Sequence, residues 1–95
     1  MNKEWTNAHT ALIAEALGWT GSHEDLVACM SRMERLAEIR PVARVELSYS
    51  PSMEEPYLAS VIEMNSREPV TFQACGNTAA EAMAWMLWKA CGGVE

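Results

Sequence analysis

The chain has 95 residues, of which 49% are apolar and 21% are charged, a balance typical of one folded domain rather than of a disordered segment. Thirteen acidic residues against seven basic ones give a net charge of −6, which disfavours direct binding to nucleic acid or to an anionic membrane, since both need clustered Lys and Arg. No stretch approaches the roughly 18 apolar residues of a membrane span, and the start MNKEWTNAHT lacks the apolar segment of a secretion signal. We therefore expect a single domain, residues 1–95, in a reducing cytoplasm.

The first helix is predicted over Thr6–Leu17. Thr6 or Asn7 can cap its start, and Gly18 can adopt the left-handed conformation that ends a helix. Trp19 follows at once and is expected to fold back over that end. The predicted apolar stripe of this helix is Leu12, Ile13, Ala16 and Leu17.

A second helix is predicted to start at the segment Ser22–Asp25, where a hydroxyl precedes a carboxylate by three residues, a variant of the capping box. Pro41 ends it, because the residue before a proline is pushed away from helical geometry. The predicted buried stripe is Leu26, Cys29, Met30, Met33, Leu36 and Ala37. The charged residues outside that stripe are Arg32, Glu34, Arg35 and Glu38.

The hydrophobic period then changes from 3.6 to 2, which is typical of strands. Val45, Leu47 and Tyr49 alternate with polar residues in 43–49, as in a strand with one wet face. A turn over 50–56 leads to a central strand over 57–64. A short connection then precedes a third strand over 69–74, and connections this short favour an antiparallel meander.

Gly76 ends the sheet, and Thr78 with Glu81 forms a capping box for a last helix that reaches Cys91. The core stripe of that helix is Ala79, Met83, Met86, Leu87 and Ala90. The predicted fold class is α+β, in the order helix, helix, three-stranded antiparallel sheet, helix, with a single layer of sheet covered by helices mainly on one face.

The residues that carry chemistry are few and scattered. Cys29, Cys75 and Cys91 form no CxxC pair, so no zinc or thioredoxin-like motif is present. Cys29 lies on an apolar stripe, and His23, six residues earlier, would lie on the opposite helix face. His9 and His23 have no evident partners. We expect no catalytic, metal or cofactor site and no enzymatic activity, and we rank a small cysteine-dependent enzyme as a distant third possibility.

Trp85 and Trp88 are the most informative residues of the last helix. They lie at about 240° and 180° from Ala79 on a helical wheel, whereas the core stripe centres near about 20°. Glu81 and Lys89 share their side of the helix. Two interpretations stay open: the pair forms a partner-binding surface, or the first or second helix covers it.

An acidic stretch over 46–68 is the second candidate surface. It contains five carboxylates and only Arg67 as a base. It could meet a basic protein surface or imitate nucleic acid, and the alternative is an ordinary sheet edge protected by charge. The carboxylates are Glu46, Glu54, Glu55, Glu63 and Glu68.

The segments HTALIAEALGW and GNTAAEAMAWMLWKAC together resemble the two ends of the small α/β (ABA-type) sandwich domains of uncharacterised tailed-bacteriophage proteins. The matching positions are Leu17, Gly18 and Trp19 at the first helix, and Thr78, Glu81 and Ala82 at the last, about a third of the chain. The resemblance implies a phage protein in the host cytoplasm and implies no catalytic residues.

Taken together with the resemblance, these features predict a phage-encoded accessory protein that binds a host or phage protein, and a protein with a basic surface is among the candidate partners. Inhibition of a host defence or nucleic-acid enzyme, as by an anti-CRISPR protein, is the specific expectation. The alternative is a structural or self-assembling module whose Trp face makes a homodimer.

Overall fold

A computed structural model describes residues 4–18, 25–64 and 67–93. The helices are α1 (Asn7–Leu17), α2 (Leu26–Ile39) and α3 (Ala79–Ala90), and the strands are β1 (Val42–Tyr49), β2 (Tyr57–Met64) and β3 (Pro69–Gly76). The strands form one antiparallel sheet in the order β1-β2-β3. This confirms the predicted α+β class, the element order and the central position of the second strand.

Local sequence signals explain where the helices begin and end. Thr6 precedes α1, and Gly18 closes it with a φ of 68° while its N–H donates to the carbonyl of Ala14. The Thr78 hydroxyl accepts a hydrogen bond from the Glu81 N–H at 3.1 Å. The carboxylate of Asp25 caps α2, and the predicted contributions of Trp19, Ser22 and His23 lie outside the described residues.

Helix α3 is the centre of the molecule. Nine of its twelve residues are buried, because one side packs on β2 and β3 while α1 and α2 pack on the other. Gly76 permits the close approach at its first turn, since a Cβ there would lie 2.5 Å from the backbone nitrogen of Ala82. This contact also identifies the side of the sheet on which α3 lies, called the helix side below.

The buried faces of α1 and α2 differ from the prediction at several positions. Ala16 of α1 is exposed, and so are Met30 and Ala37 of α2. Arg32, expected on the wet face, is fully buried. Helix α2 contacts α3 through its buried residues, so the position of α3, and not apolarity alone, decides which face of α2 is buried.

Strand β1 also departs from expectation. The pattern predicted one buried face, but every residue from Ala43 to Tyr49 is exposed. Register places Val45, Leu47 and Tyr49 opposite Val61, Ala59 and Tyr57, on the helix side. They remain in solvent because α3 covers only the β2 and β3 part of that side.

No helix within the described ranges has both the length and the apolar character to traverse a bilayer.

Candidate functional site

The indole pair of α3 is buried, so the interpretation of Trp85 and Trp88 as a partner-binding surface is wrong. Trp85 is 4% exposed and Trp88 is 8% exposed. The Trp5 ring meets the Trp85 ring edge-on at 5.0 Å between centroids, and the His9 ring lies 4.8 and 4.9 Å from the two α3 indoles. The N-terminal segment and α1 therefore cover the pair, as the alternative interpretation had it.

His9, which the sequence left without a partner, belongs to this aromatic cluster. Its Nδ1 accepts a hydrogen bond from the Thr6 N–H at 3.0 Å, closing the first turn of α1. The half-buried ring packs against Trp5, Trp85 and Trp88. A histidine three residues after a capping threonine was the available signal for the local hydrogen bond. The indole contacts depend on the tertiary packing of α1 against α3.

Glu81 and Lys89 do not flank an exposed aromatic surface, although both are half-buried. Lys89 Nζ donates a hydrogen bond to the carbonyl oxygen of Gln73 at 3.1 Å, tying the end of α3 to β3. Glu81 lies in the first turn of α3, where its carboxylate interacts favourably with the helix dipole. The two residues therefore serve local structure at opposite ends of the helix.

Glu63 is not part of an acidic surface, which corrects its assignment as a partner-binding residue. Its side chain is 3% exposed and pairs with Arg40 through contacts of 2.7 Å (Nη2 to Oε1) and 3.1 Å (Nε to Oε2). Arg40 Nη1 also donates to the carbonyl oxygen of Ala90 at the end of α3. This ion pair, with one hydrogen bond from Nε to Oε2, links the end of α2 to β2 and α3, and the separation of 23 residues left no local signal for it.

The remaining acids of the 46–68 stretch do not form one face. Glu54 and Glu55 lie in the β1–β2 turn, whereas Glu68 lies in the β2–β3 turn. The length of β2 separates these turns by about 23 Å at 3.3 Å per residue. Glu46 is exposed on the open side of β1 and pairs with Arg44 at 2.6 Å. The structure therefore distributes these charges over both ends of the sheet.

Two of the three thiols, those of Cys29 and Cys91, are poorly placed for nucleophilic chemistry. Burial raises the pKa of the Cys29 thiol, with a smaller opposing effect of the Arg32 charge. Burial likewise raises the pKa of Cys91. A raised pKa leaves little of the reactive thiolate at neutral pH. The described part of the chain contains no group of three or more His, Cys, Asp or Glu side chains able to hold a metal ion.

An apolar surface in contact with solvent lies on β1 and α2. Val45, Leu47 and Tyr49 are 39%, 43% and 60% exposed on the helix side of the strand. Beside them, a groove of about 270 Å³ separates α2 from β1. Its lining residues are Met30, Met33, Glu34, Ala37, Val45 and Met83. We call the three strand residues and this groove the β1–α2 surface.

The backbone of β1 adds hydrogen-bonding capacity to this surface. The N–H of Ser50 donates to the carbonyl of Pro56, so residues 50 and 56 form a hydrogen-bonded pair. Pairs alternate along an antiparallel ladder, so residues 48, 46 and 44 also bond to β2. Val45, Leu47 and Tyr49 consequently direct their N–H and C=O groups away from β2, and no other described strand pairs with that edge.

The β1–α2 surface can therefore bind an extended protein segment. A strand added to the edge would satisfy the outward N–H and C=O groups, and its alternate side chains would pack on the exposed apolar residues and the groove. The sequence contained a partial signal, the alternation over 43–49, but it indicated a buried face rather than a free one.

Comparison with known proteins found no matching family model, no similar curated protein and no similar solved structure.

Proposed function

We propose that this chain acts by protein–protein binding and that the β1–α2 surface is its docking site. The observation that carries the proposal is the coincidence of an open strand edge with apolar side chains beside an apolar groove. Proteins usually protect an edge strand with charges or cover it. On β1 the charged residues Arg44 and Glu46 point to the open side, which leaves the helix side apolar.

Burial of this surface supplies the driving force. Apolar area removed from water contributes about 25 cal/mol per Å². Each added backbone hydrogen bond contributes a further amount of about 1 kcal/mol. Val45 and Leu47 are each more than a third exposed, so a partner that covered them would bury side chains that the monomer leaves in solvent.

The proposal is tested by comparing Leu47→Glu with Met64→Glu. Both residues are partly exposed apolar side chains in the sheet, at 43% and 53%, and both substitutions add one negative charge. Only Leu47 belongs to the β1–α2 surface, since Met64 lies on the open side near the end of β2. The matched pair therefore separates docking from a general change in charge or solubility.

The assay is quantitative affinity capture by the tagged chain, from a mixture that includes cell extract and an untagged copy of the chain itself. We expect wild type and Met64→Glu to retain the same bound protein and Leu47→Glu to lose most of it, with all three unfolding at similar temperatures. Equal capture by Leu47→Glu and wild type would contradict the proposal.

A second candidate function is inhibition of a host defence or nucleic-acid enzyme by a phage accessory protein. The net charge of −6 and the exposed carboxylates of Glu46, Glu54 and Glu68 favour a partner with basic groups. Such a partner would bind through charge, so its capture should fall steeply as salt rises from about 0.05 to 0.5 M. Capture that is independent of salt would contradict this second proposal.

A further inference from the structure

We infer that the occupant of the β1–α2 surface is a second copy of this chain, with the two β1 strands paired antiparallel about a two-fold axis at Val45. The inference rests on the proposed docking function and specifies its partner. It joins two three-stranded sheets into one sheet of six strands, with strand order β3-β2-β1-β1-β2-β3. The argument depends on the backbone, the charges and the apolar side chains of β1.

The backbone restricts the possible registers. Val45, Leu47 and Tyr49 direct their N–H and C=O groups outward, and the same alternation extends to Ala43, so odd-numbered residues of one copy must pair with odd-numbered residues of the other. Two identical antiparallel strands that pair in this way have a two-fold axis at a residue. Near the middle of β1, the candidate positions for that axis are Val45, Glu46 and Leu47.

Charge distinguishes these three positions. With the axis at Val45, Arg44 of each copy lies opposite Glu46 of the other, and both pairs are at non-hydrogen-bonded positions, where side chains approach most closely. An axis at Glu46 would place two Glu46 carboxylates opposite each other. An axis at Leu47 would place both charged residues opposite serines, Ser48 and Ser50. Arg44 and Glu46 already pair within one chain, and only the Val45 axis also places an opposite charge of the second copy against each of them, twice by symmetry.

Apolar packing accompanies this register. Val45 meets Val45 of the second copy across the axis, and Leu47 lies opposite the small residue Ala43. The groove between α2 and β1 opens beside the same strand, with the half-exposed Met30 on its rim. The second copy would therefore pack apolar side chains beside Val45 and Leu47, which the monomer leaves in solvent.

The strand also limits the strength of the dimer. A β-bulge lies between Val42 and Arg44, where the register with β2 shifts, and it ends the regular edge on that side. In the Val45 register Leu47 faces Ala43 at the bulge, so the Val45 pair is the hydrogen-bonded pair that lies wholly within the regular edge, and the paired segment is short. An interface of this kind belongs at the small end of the range for specific association, for which we expect a dissociation constant of about 1–100 μM.

The decisive experiment exchanges the two charges separately. Arg44→Glu places two carboxylates opposite each other at both pairs, and Glu46→Arg does the same with two guanidinium groups. Each variant should dimerise about tenfold more weakly than wild type, since two attractive pairs become two repulsive ones. An equimolar mixture of the two variants should form a heterodimer with near wild-type affinity, because all opposed pairs are again of opposite sign.

The mixture isolates contacts between copies. Within one wild-type chain Arg44 also pairs with Glu46 at 2.6 Å, and each variant loses that contact. The heterodimer does not restore it, because each chain still carries two like charges. Recovery in the mixture therefore reports pairing between chains and not repair of the strand.

Sedimentation velocity over 1–500 μM measures association, with the dimer at twice the monomer mass of 10.5 kDa. The inference is supported if a concentration-dependent dimer weakens in both charge variants and recovers in their mixture. The same dimer should be lost in Leu47→Glu and kept in Met64→Glu. A chain that stays monomeric throughout overturns the inference. The proposed docking function survives that result if capture of a different protein still depends on Leu47, and it fails as well if no such capture is seen. A dimer that is unchanged in both charge variants overturns the axis at Val45.

Discussion

Trp85→Ala should be one of the most destabilising single changes in the chain. The Trp85 indole is 4% exposed and meets three aromatic rings edge-on, those of Trp5, His9 and Trp88, at 5.0, 4.8 and 5.5 Å between centroids. Truncation of a buried tryptophan costs about 3–5 kcal/mol with its packing contacts included, and three edge-on aromatic contacts place Trp85 in the upper part of that range. We therefore expect a loss of about 4–5 kcal/mol in the free energy of unfolding.

That loss is large compared with the total stability of a domain of this size, about 5–14 kcal/mol. It should lower Tm by roughly 20 °C or more. Trp85→Phe keeps an aromatic ring and should lose clearly less. The measurement is urea and thermal unfolding, followed by far-ultraviolet circular dichroism at low micromolar protein. Val27→Ala is the control, because Val27 is 75% exposed on α2 and its truncation should change the free energy of unfolding by less than about 0.5 kcal/mol.

A cost for Trp85→Ala below about 1 kcal/mol, with weakened binding to another protein, would refute this reasoning. It would place the indole on the surface and return α3 to the position of a docking helix. A cost for Trp85→Ala as small as that of Val27→Ala would likewise place the indole on the surface, because a side chain enclosed by three rings cannot be removed without leaving a cavity.

Three further results are expected. His9→Ala should cost about 2 kcal/mol of unfolding free energy, because it removes both the hydrogen bond from the Thr6 N–H and the ring contacts. His9→Gln should recover about 1 kcal/mol, because glutamine at this position can still accept the hydrogen bond from Thr6. Equal losses for the two variants in urea unfolding would argue against the hydrogen bond. Gly76→Ala should cost about 2 kcal/mol of unfolding free energy, since the new Cβ would lie 2.5 Å from the backbone nitrogen of Ala82, which cannot rotate away. An unchanged Tm would contradict this close approach. Stability should fall as pH rises above about 9.0, because burial raises the pKa of Cys29 and the unfolded chain releases the thiol proton first. Urea unfolding from pH 7 to 10.5 should show a shallower fall for Cys29→Ala, and an unchanged slope would count against that cause.

Much of the fold could be predicted because its signals are local. A threonine hydroxyl that caps a helix, as at Thr78, acts within three or four residues, and so does the left-handed Gly18 that ends α1. The change of hydrophobic period at Pro41 is equally local, and it placed β1 within one residue of its observed start. Short connections then favoured the antiparallel order that the structure has.

The candidate site could not be predicted in the same way. The partner of Glu63 is Arg40, 23 residues away, and no periodic pattern connects them. The burial of Trp85 and Trp88 depends on a second layer of helix on the far side of α3, which a helical wheel of α3 alone cannot contain. A wheel describes how side chains are arranged around one axis and not what lies next to that axis.

Length, composition and local pattern by themselves determined the α+β class, the caps of the first and last helices, the order of the elements and the alternation of β1. Only the tertiary structure decided which apolar residues are covered. It buried the indoles that seemed available for binding and left Val45, Leu47 and Tyr49 in solvent. The physical reason is that helix caps and hydrophobic periods depend on neighbours in sequence, whereas burial depends on the finite width of α3 over the sheet. That width ends before β1, and the free edge there is the surface through which we propose that the protein binds.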